Sequence, residues 1–91
     1  MTVLEKDVVV HDRHGIHGRV AAALAQIAAR KRVVLRIIHD GAATDCSSIL
    51  EVLSMAIAYG TRLTIRIEGE DRKAAKALAA VEKLFAAGKE V

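Results

Sequence analysis

The sequence predicts an α+β domain with the element order β-α-β-β-α-β-α and an antiparallel sheet that keeps one face in water. Three observations carry this. The stretch 61–68, "TRLTIRIE", alternates apolar and polar residues cleanly, as a strand with one buried face does. "VVLRIIH" followed by "HDG" reads as a strand running into a tight turn. Between such segments lie alanine-rich stretches with apolar residues at helical spacing.

The elements follow in chain order. "VLEKDVVV" is rich in β-branched residues and stops at the polar cluster His11 to Gly15, which predicts a strand entering a short loop. Val20, Leu24, Ile27 and Ala28 then recur at helical spacing, and Arg30, Lys31 and Arg32 suit the negative end of that helix. Val33, Leu35 and Ile37 alternate with Val34, Arg36 and Ile38 in a second strand. After the turn at 39–41 a short strand is expected around Ala42 to Asp45, completing a hairpin. Ser47 or Ser48 can cap a second helix, "SILEVLSMAIA", expected to end at Gly60 just past Tyr59. Its apolar residues, Ile49, Leu50, Val52, Leu53, Met55, Ala56 and Ile57, cover roughly 220° of the helix circumference, more than its own core needs, so part of that arc should stay exposed. In the last strand Leu63, Ile65 and Ile67 point inward. Asp71 is placed to cap a closing helix with the stripe Ala74, Ala77, Leu78, Val81, Leu84 and Phe85, ending near Gly88.

Composition narrows the function. Ninety-one residues, 53% hydrophobic and without proline, fit one domain spanning 1–91. Only 2% of residues are aromatic, so no platform for stacking bases is visible. The net charge of +3 comes from scattered basic residues, which argues against nucleic-acid binding. Cys46 is the one cysteine, which excludes an internal disulfide and suits a reducing compartment. The charged N-terminus and the lack of an apolar run of about 18 residues predict a cytoplasmic chain without membrane insertion.

His17 is the residue most open to chemistry. It precedes a helix whose first N–H groups, near Gly18 and Arg19, favour a bound phosphate. Gly18 leaves the backbone accessible, and the guanidinium of Arg19 offers a planar fork for phosphate oxygens. A neutral imidazole here can attack a phosphoryl donor and hold the group as a phosphoramidate. Two bland or rival readings stand beside this one. His17 can be a solvated loop residue, or His11, His14 and His17, beside Asp12, can form a small metal site. The three-residue spacing brings side chains together on a helix, however, and Gly15 with its polar neighbours places these in a loop.

"GIHGRVAAAL" resembles the active-site segment of the histidine-containing phosphocarrier (HPr) family of the bacterial phosphotransferase system, whose usual text is G-[IL]-H-A-R-P-A. "SSILEVLSMAIAYGTRLTI" is similar to the family's second helix and last strand, and "GEDRKAAKALAAVEKLF" to its closing helix. The resemblance implies an open-faced β-sandwich, with three helices on one side of a four-stranded antiparallel sheet. It implies that His17 is phosphorylated on Nδ1 by Enzyme I and discharged onto IIA domains, that Arg19 assists transfer, and that Gly18 and Arg19 bind the phosphate. Ser48 matches the serine that an HPr serine kinase phosphorylates. Its bland reading is a helix cap without regulatory role. Ala22, Ile49, Leu50 and Leu53 match the apolar surface that receives partners. The chain so read is a monomeric phosphoryl carrier without cofactor or metal, and not an independent catalyst. The alternative is a regulatory module of the same fold, serving a nitrogen-related system or catabolite control, with partner choice set by phosphorylation. Three positions depart from the pattern. Val20 stands where the family has proline, which removes a pre-set φ from the first helical turn. Gly18 replaces the alanine, and His14 replaces a small polar residue.

Overall fold

A computed structural model describes residues 1–87. The elements are β1 (Thr2–Val9), α1 (Gly18–Lys31), β2 (Val34–His39), β3 (Ala42–Asp45), α2 (Ile49–Ser54), β4 (Arg62–Gly69) and α3 (Asp71–Ala86). All strand pairs are antiparallel, in the spatial order β1-β4-β2-β3. This is the four-stranded sheet with three helices and the β-α-β-β-α-β-α order that the sequence predicts.

Period-two patterning decides which face is covered. Leu35, Ile37, Leu63, Ile65 and Ile67 are buried beneath the helices, whereas Arg36, Thr64, Arg66 and Glu68 lie on the opposite face in part contact with water. Leu24, Val52, Val81 and Phe85 close the core from the helical side. Each fully buried Leu or Ile contributes about 1.5–3 kcal/mol relative to exposure. The wet face carries charge ladders instead: Glu68 Oε1 lies 3.2 Å from Arg36 Nη1 and 3.5 Å from Arg66 Nε. That carboxylate separates two arginines that the register sets directly opposite each other. Asp40 (φ 51°) and Gly41 (φ 79°) form a two-residue connection with both φ values positive, the type I′ geometry that matches strand twist.

Three expectations need correction or a boundary. The second helix does not run to Gly60 but stops at Ser54. The Met55 N–H bonds to Val52 O at 3.2 Å and the Ala56 N–H to Leu53 O at 3.1 Å, tightening the last turn, and Ala56 then takes a φ of 50°. This reversal drops Ile57 into the core, where it is buried. Asp71 does not cap α3. Glu70 is the capping residue, without a side-chain cap bond, and Asp71 lies in the first turn, where its carboxylate accepts the Thr2 hydroxyl of β1. Gly88, the expected end of α3, lies outside the described residues.

Candidate functional site

The site is the loop between β1 and α1 together with the first turn of α1. Its entry is fixed by Val10, buried, whose N–H donates to Thr61 O at 2.9 Å and whose carbonyl accepts from Gly60 at 2.8 Å. Asp12 then organises the turn: Oδ1 accepts the His14 N–H at 2.9 Å, and its backbone carbonyl accepts the Gly15 N–H at 2.9 Å. Gly15 sits at φ 67°, against the chain that follows α2. Ile16 is buried, and its N–H donates to Ile57 O at 2.9 Å. His17 emerges immediately after this anchor.

His17 is itself the N-cap of α1, with extended backbone (φ −95°, ψ −176°). Its Nδ1 accepts the Arg19 N–H at 3.2 Å, so one of the free donors expected at the helix start is held by the histidine ring. Its Nε2 lies 3.1 Å from Asp12 Oδ2. With Nδ1 acting as acceptor, the proton of the neutral ring belongs on Nε2, where the carboxylate receives it; this assignment follows from the hydrogen-bond network. Arg19 Nη2 lies 3.9 Å from the same Oδ2, on a side chain that is 82% exposed. The His14 N–H, and after it the His17 ring, hold the Asp12 carboxyl below the usual carboxylate range. A Cβ at Gly18 would meet nothing within 4 Å, so the space beside the first helical turn is open.

The structure places His17, Gly18 and Arg19 side by side at the start of α1 and adds Asp12, which the sequence suggests only as a neighbour of a metal cluster. A signal was present, since Asp12 opens a D-x-x-G stretch able to form a side-chain-capped turn. The histidine cluster looks different in space. The rings of His14 and His17 are 6.1 Å apart, edge to face, and among the described residues no three His, Cys, Asp or Glu side chains are grouped to hold a metal ion.

Ser48 caps α2, its Oγ accepting the Glu51 N–H at 3.3 Å. The residues matched to the partner surface divide in two. Leu50 is 80% and Ile49 39% exposed. Ala22 and Leu53 are partly buried, Leu53 against the core, while Ala22 and Ile49 line one shallow hollow between α1 and α2. Cys46 is fully buried and desolvation pushes its thiol up to about 12, which leaves it inert at neutral pH.

Comparison with known proteins gives one answer. The family model described as "PTS HPr component phosphorylation site" matches residues 4–87. The phosphocarrier protein HPr of Treponema pallidum is 38% identical over 80 residues, covering 88% of this chain and 89% of that protein. Among solved structures, the phosphocarrier protein HPr of Bacillus anthracis superposes with a TM-score of 0.81 at 33% identity, covering 93% of this chain and 99% of that one. A histidine-containing phosphocarrier protein of a mycoplasma does so with a TM-score of 0.81 at 30% identity, covering 92% and 93%. With a family model spanning nearly the whole chain and an imidazole held at the first turn of α1, the chain belongs to the HPr family of phosphocarrier proteins.

Proposed function

We propose that this chain is the phosphocarrier of a phosphoenolpyruvate-dependent phosphotransferase system, accepting a phosphoryl group on His17 Nδ1 from Enzyme I and passing it to IIA domains. The observation that carries this reading is the state of Nδ1, which bears a lone pair at the N-terminus of α1 and, among the described residues, is bound only by a backbone N–H. When Nδ1 attacks phosphorus, the Arg19 N–H releases it and becomes a donor to a phosphoryl oxygen, aided by the helix dipole. The Arg19 guanidinium adds charge to the oxygens in flight. Incubation with Enzyme I and phosphoenolpyruvate should yield acid-labile phosphate that a IIA domain can remove. No label after incubation would overturn this reading.

For Arg19→Ala, transfer is expected to slow by roughly 10- to 100-fold, less than the about 100- to 1,000-fold seen for a donor aimed at developing charge in a water-excluded site, because this guanidinium is exposed. Thermal stability should scarcely change, because the side chain is 82% exposed. Rapid-quench kinetics and a thermal melt check both halves, and Arg19→Lys should restore only part of the rate because it lacks the planar fork.

Control through Ser48 is a second, compatible proposal, supported by the place of its hydroxyl at the cap of α2 beside exposed Ile49 and Leu50. A phosphate there would set about two negative charges at the edge of an apolar docking surface. Ser48→Asp is expected to weaken binding to Enzyme I or a IIA domain several-fold by titration calorimetry. Equal affinity would count against a regulatory role. The cytoplasmic setting is part of the same proposal; among the described residues no helix is long and apolar enough to cross a membrane.

A further inference from the structure

Asp12 lies outside the motif "GIHGRV", yet its carboxylate faces both His17 and Arg19. Oδ1 is pinned by the His14 N–H at 2.9 Å, and Oδ2 faces His17 Nε2 at 3.1 Å and Arg19 Nη2 at 3.9 Å. The two sides of the imidazole are thus held by opposite kinds of group, a donor on Nδ1 and an anionic acceptor on Nε2. We infer that Asp12 is a positioning residue for phosphoryl transfer, retaining the Nε2 proton so that the ring attacks through Nδ1 and later departs as neutral imidazole. This inference rests on the proposed role of His17.

The chemistry balances in both directions. On loading, the Nδ1 lone pair forms the new N–P bond while the donor's bond to phosphorus breaks, its electron pair leaving with the donor. The ring is then cationic, with its proton still on Nε2 and the Asp12 carboxylate facing the charge. On unloading, an acceptor nitrogen bonds to phosphorus, the Nδ1–P pair returns to Nδ1, and the ring leaves neutral. Had Nε2 lost its proton, the ring would have to leave as imidazolate, a much stronger base and a poor leaving group. A carboxylate at hydrogen-bond distance opposes that loss.

Among the described residues, three other titratable groups bear on the ring, those of Arg19, His14 and His11. Arg19 opposes the effect of Asp12, but its exposed guanidinium is screened by water. The His14 ring stands edge-on at 6.1 Å, and His11 lines the same cleft as Asp12 and Arg19. Asp12 itself is ionised at neutral pH, its carboxyl being held low by the His14 N–H and the His17 ring.

The test uses the full chain, Asp12→Asn and Asp12→Ala, each loaded with phosphoramidate, a small donor that needs no docking protein. Dephosphorylation is followed across the neutral and alkaline range, and imidazole ¹⁵N spectra report the tautomer of the free ring. Asp12→Ala is expected to load about tenfold more slowly and to show mixed tautomers. The alkaline fall in dephosphorylation should move about one pH unit lower. Asp12→Asn keeps an oxygen for the His14 N–H and so preserves the turn, but it should show the same displacement of the alkaline limb. A merely structural role would slow loading without moving that limb. Wild-type tautomer signals and an unmoved limb in Asp12→Asn overturn the inference, as does failure of the wild-type ring to load from phosphoramidate. If Enzyme I cannot load the wild type while phosphoramidate can, and Asp12 moves the limb, the donor assignment falls and the role of Asp12 stands. Equal behaviour of all three chains with Enzyme I and phosphoramidate gives the converse.

Discussion

His17→Ala should carry no acid-labile phosphate under conditions that load the wild type fully, a loss limited only by the detection floor of the assay. The substitution removes the proposed nucleophile, and among the described residues the neighbouring His14 ring is poorly placed to replace it, being 6.1 Å away and edge-on with its backbone in the Asp12 turn rather than at the start of α1. A second effect must be separated from the first. His17 is also the N-cap of α1, and alanine cannot accept the Arg19 N–H, so about 0.5–2 kcal/mol of stability should go with it. For a domain of this size that is a fall in Tm of about 4–8 °C per kcal/mol. His17→Asn distinguishes the two roles. Asparagine is a favoured N-cap, so the Tm should recover while labelling stays at zero. Labelling of either variant at the wild-type level would remove His17 from the reaction.

Gly15→Ala is expected to have the largest effect on the fold of any single methyl group added in the loop. A Cβ on Gly15 would stand 2.1 Å from Ile57 O and 3.0 Å from Ala58 Cα, backbone atoms that cannot rotate away, and the φ of 67° is one that alanine adopts only with strain. The backbone must therefore move. The movement parts the Ile16 N–H from Ile57 O and uncovers Ile16, so a loss of about 3 kcal/mol or more is expected in urea unfolding. Because His17 follows Ile16 directly, loading should slow in the population that remains folded. Gly18→Ala is the matched control: open space surrounds that position, and little stability should be lost. A Gly15→Ala protein as stable as the wild type would show that the loop does not need this close approach.

How far the sequence reveals this protein depends on whether a feature is local. The alternation of 62–68 and the Asp40–Gly41 turn are short-range patterns, and β4 and the β2–β3 connection follow them closely. The end of α2 is not local. Ser54 to Tyr59 has a composition that would continue a helix, yet Ile57 is needed in the core and its carbonyl is needed by Ile16, forty-one positions earlier by the numbering. Tertiary demand overrides propensity there. At the start of α3 the Asp71 carboxylate is likewise engaged by a residue distant in sequence, Thr2 of β1. At the site, His17 and Arg19 are adjacent in sequence and can be read directly, along with the helix start they occupy. Asp12 is drawn onto Nε2 only once Gly15 has turned the loop back on itself, a three-dimensional fact that spacing alone does not convey.

The bond from Ile16 to Ile57 O also has a kinetic meaning. It ties the residue before His17, the proposed phosphoryl carrier, to the segment that leaves α2, whose exposed Ile49 and Leu50 are the proposed landing ground for partners. On the proposed carrier reading, a visiting protein would meet the landing ground and His17 Nδ1 already tied together by this bond, with less ordering left to pay at encounter. Each visit can be brief, because recognition does not wait for the loop to rearrange, and departure need not undo an induced shape. If the proposed carrier role holds, the same face would serve donor and acceptor in turn, with traffic in either direction set by which partner is loaded.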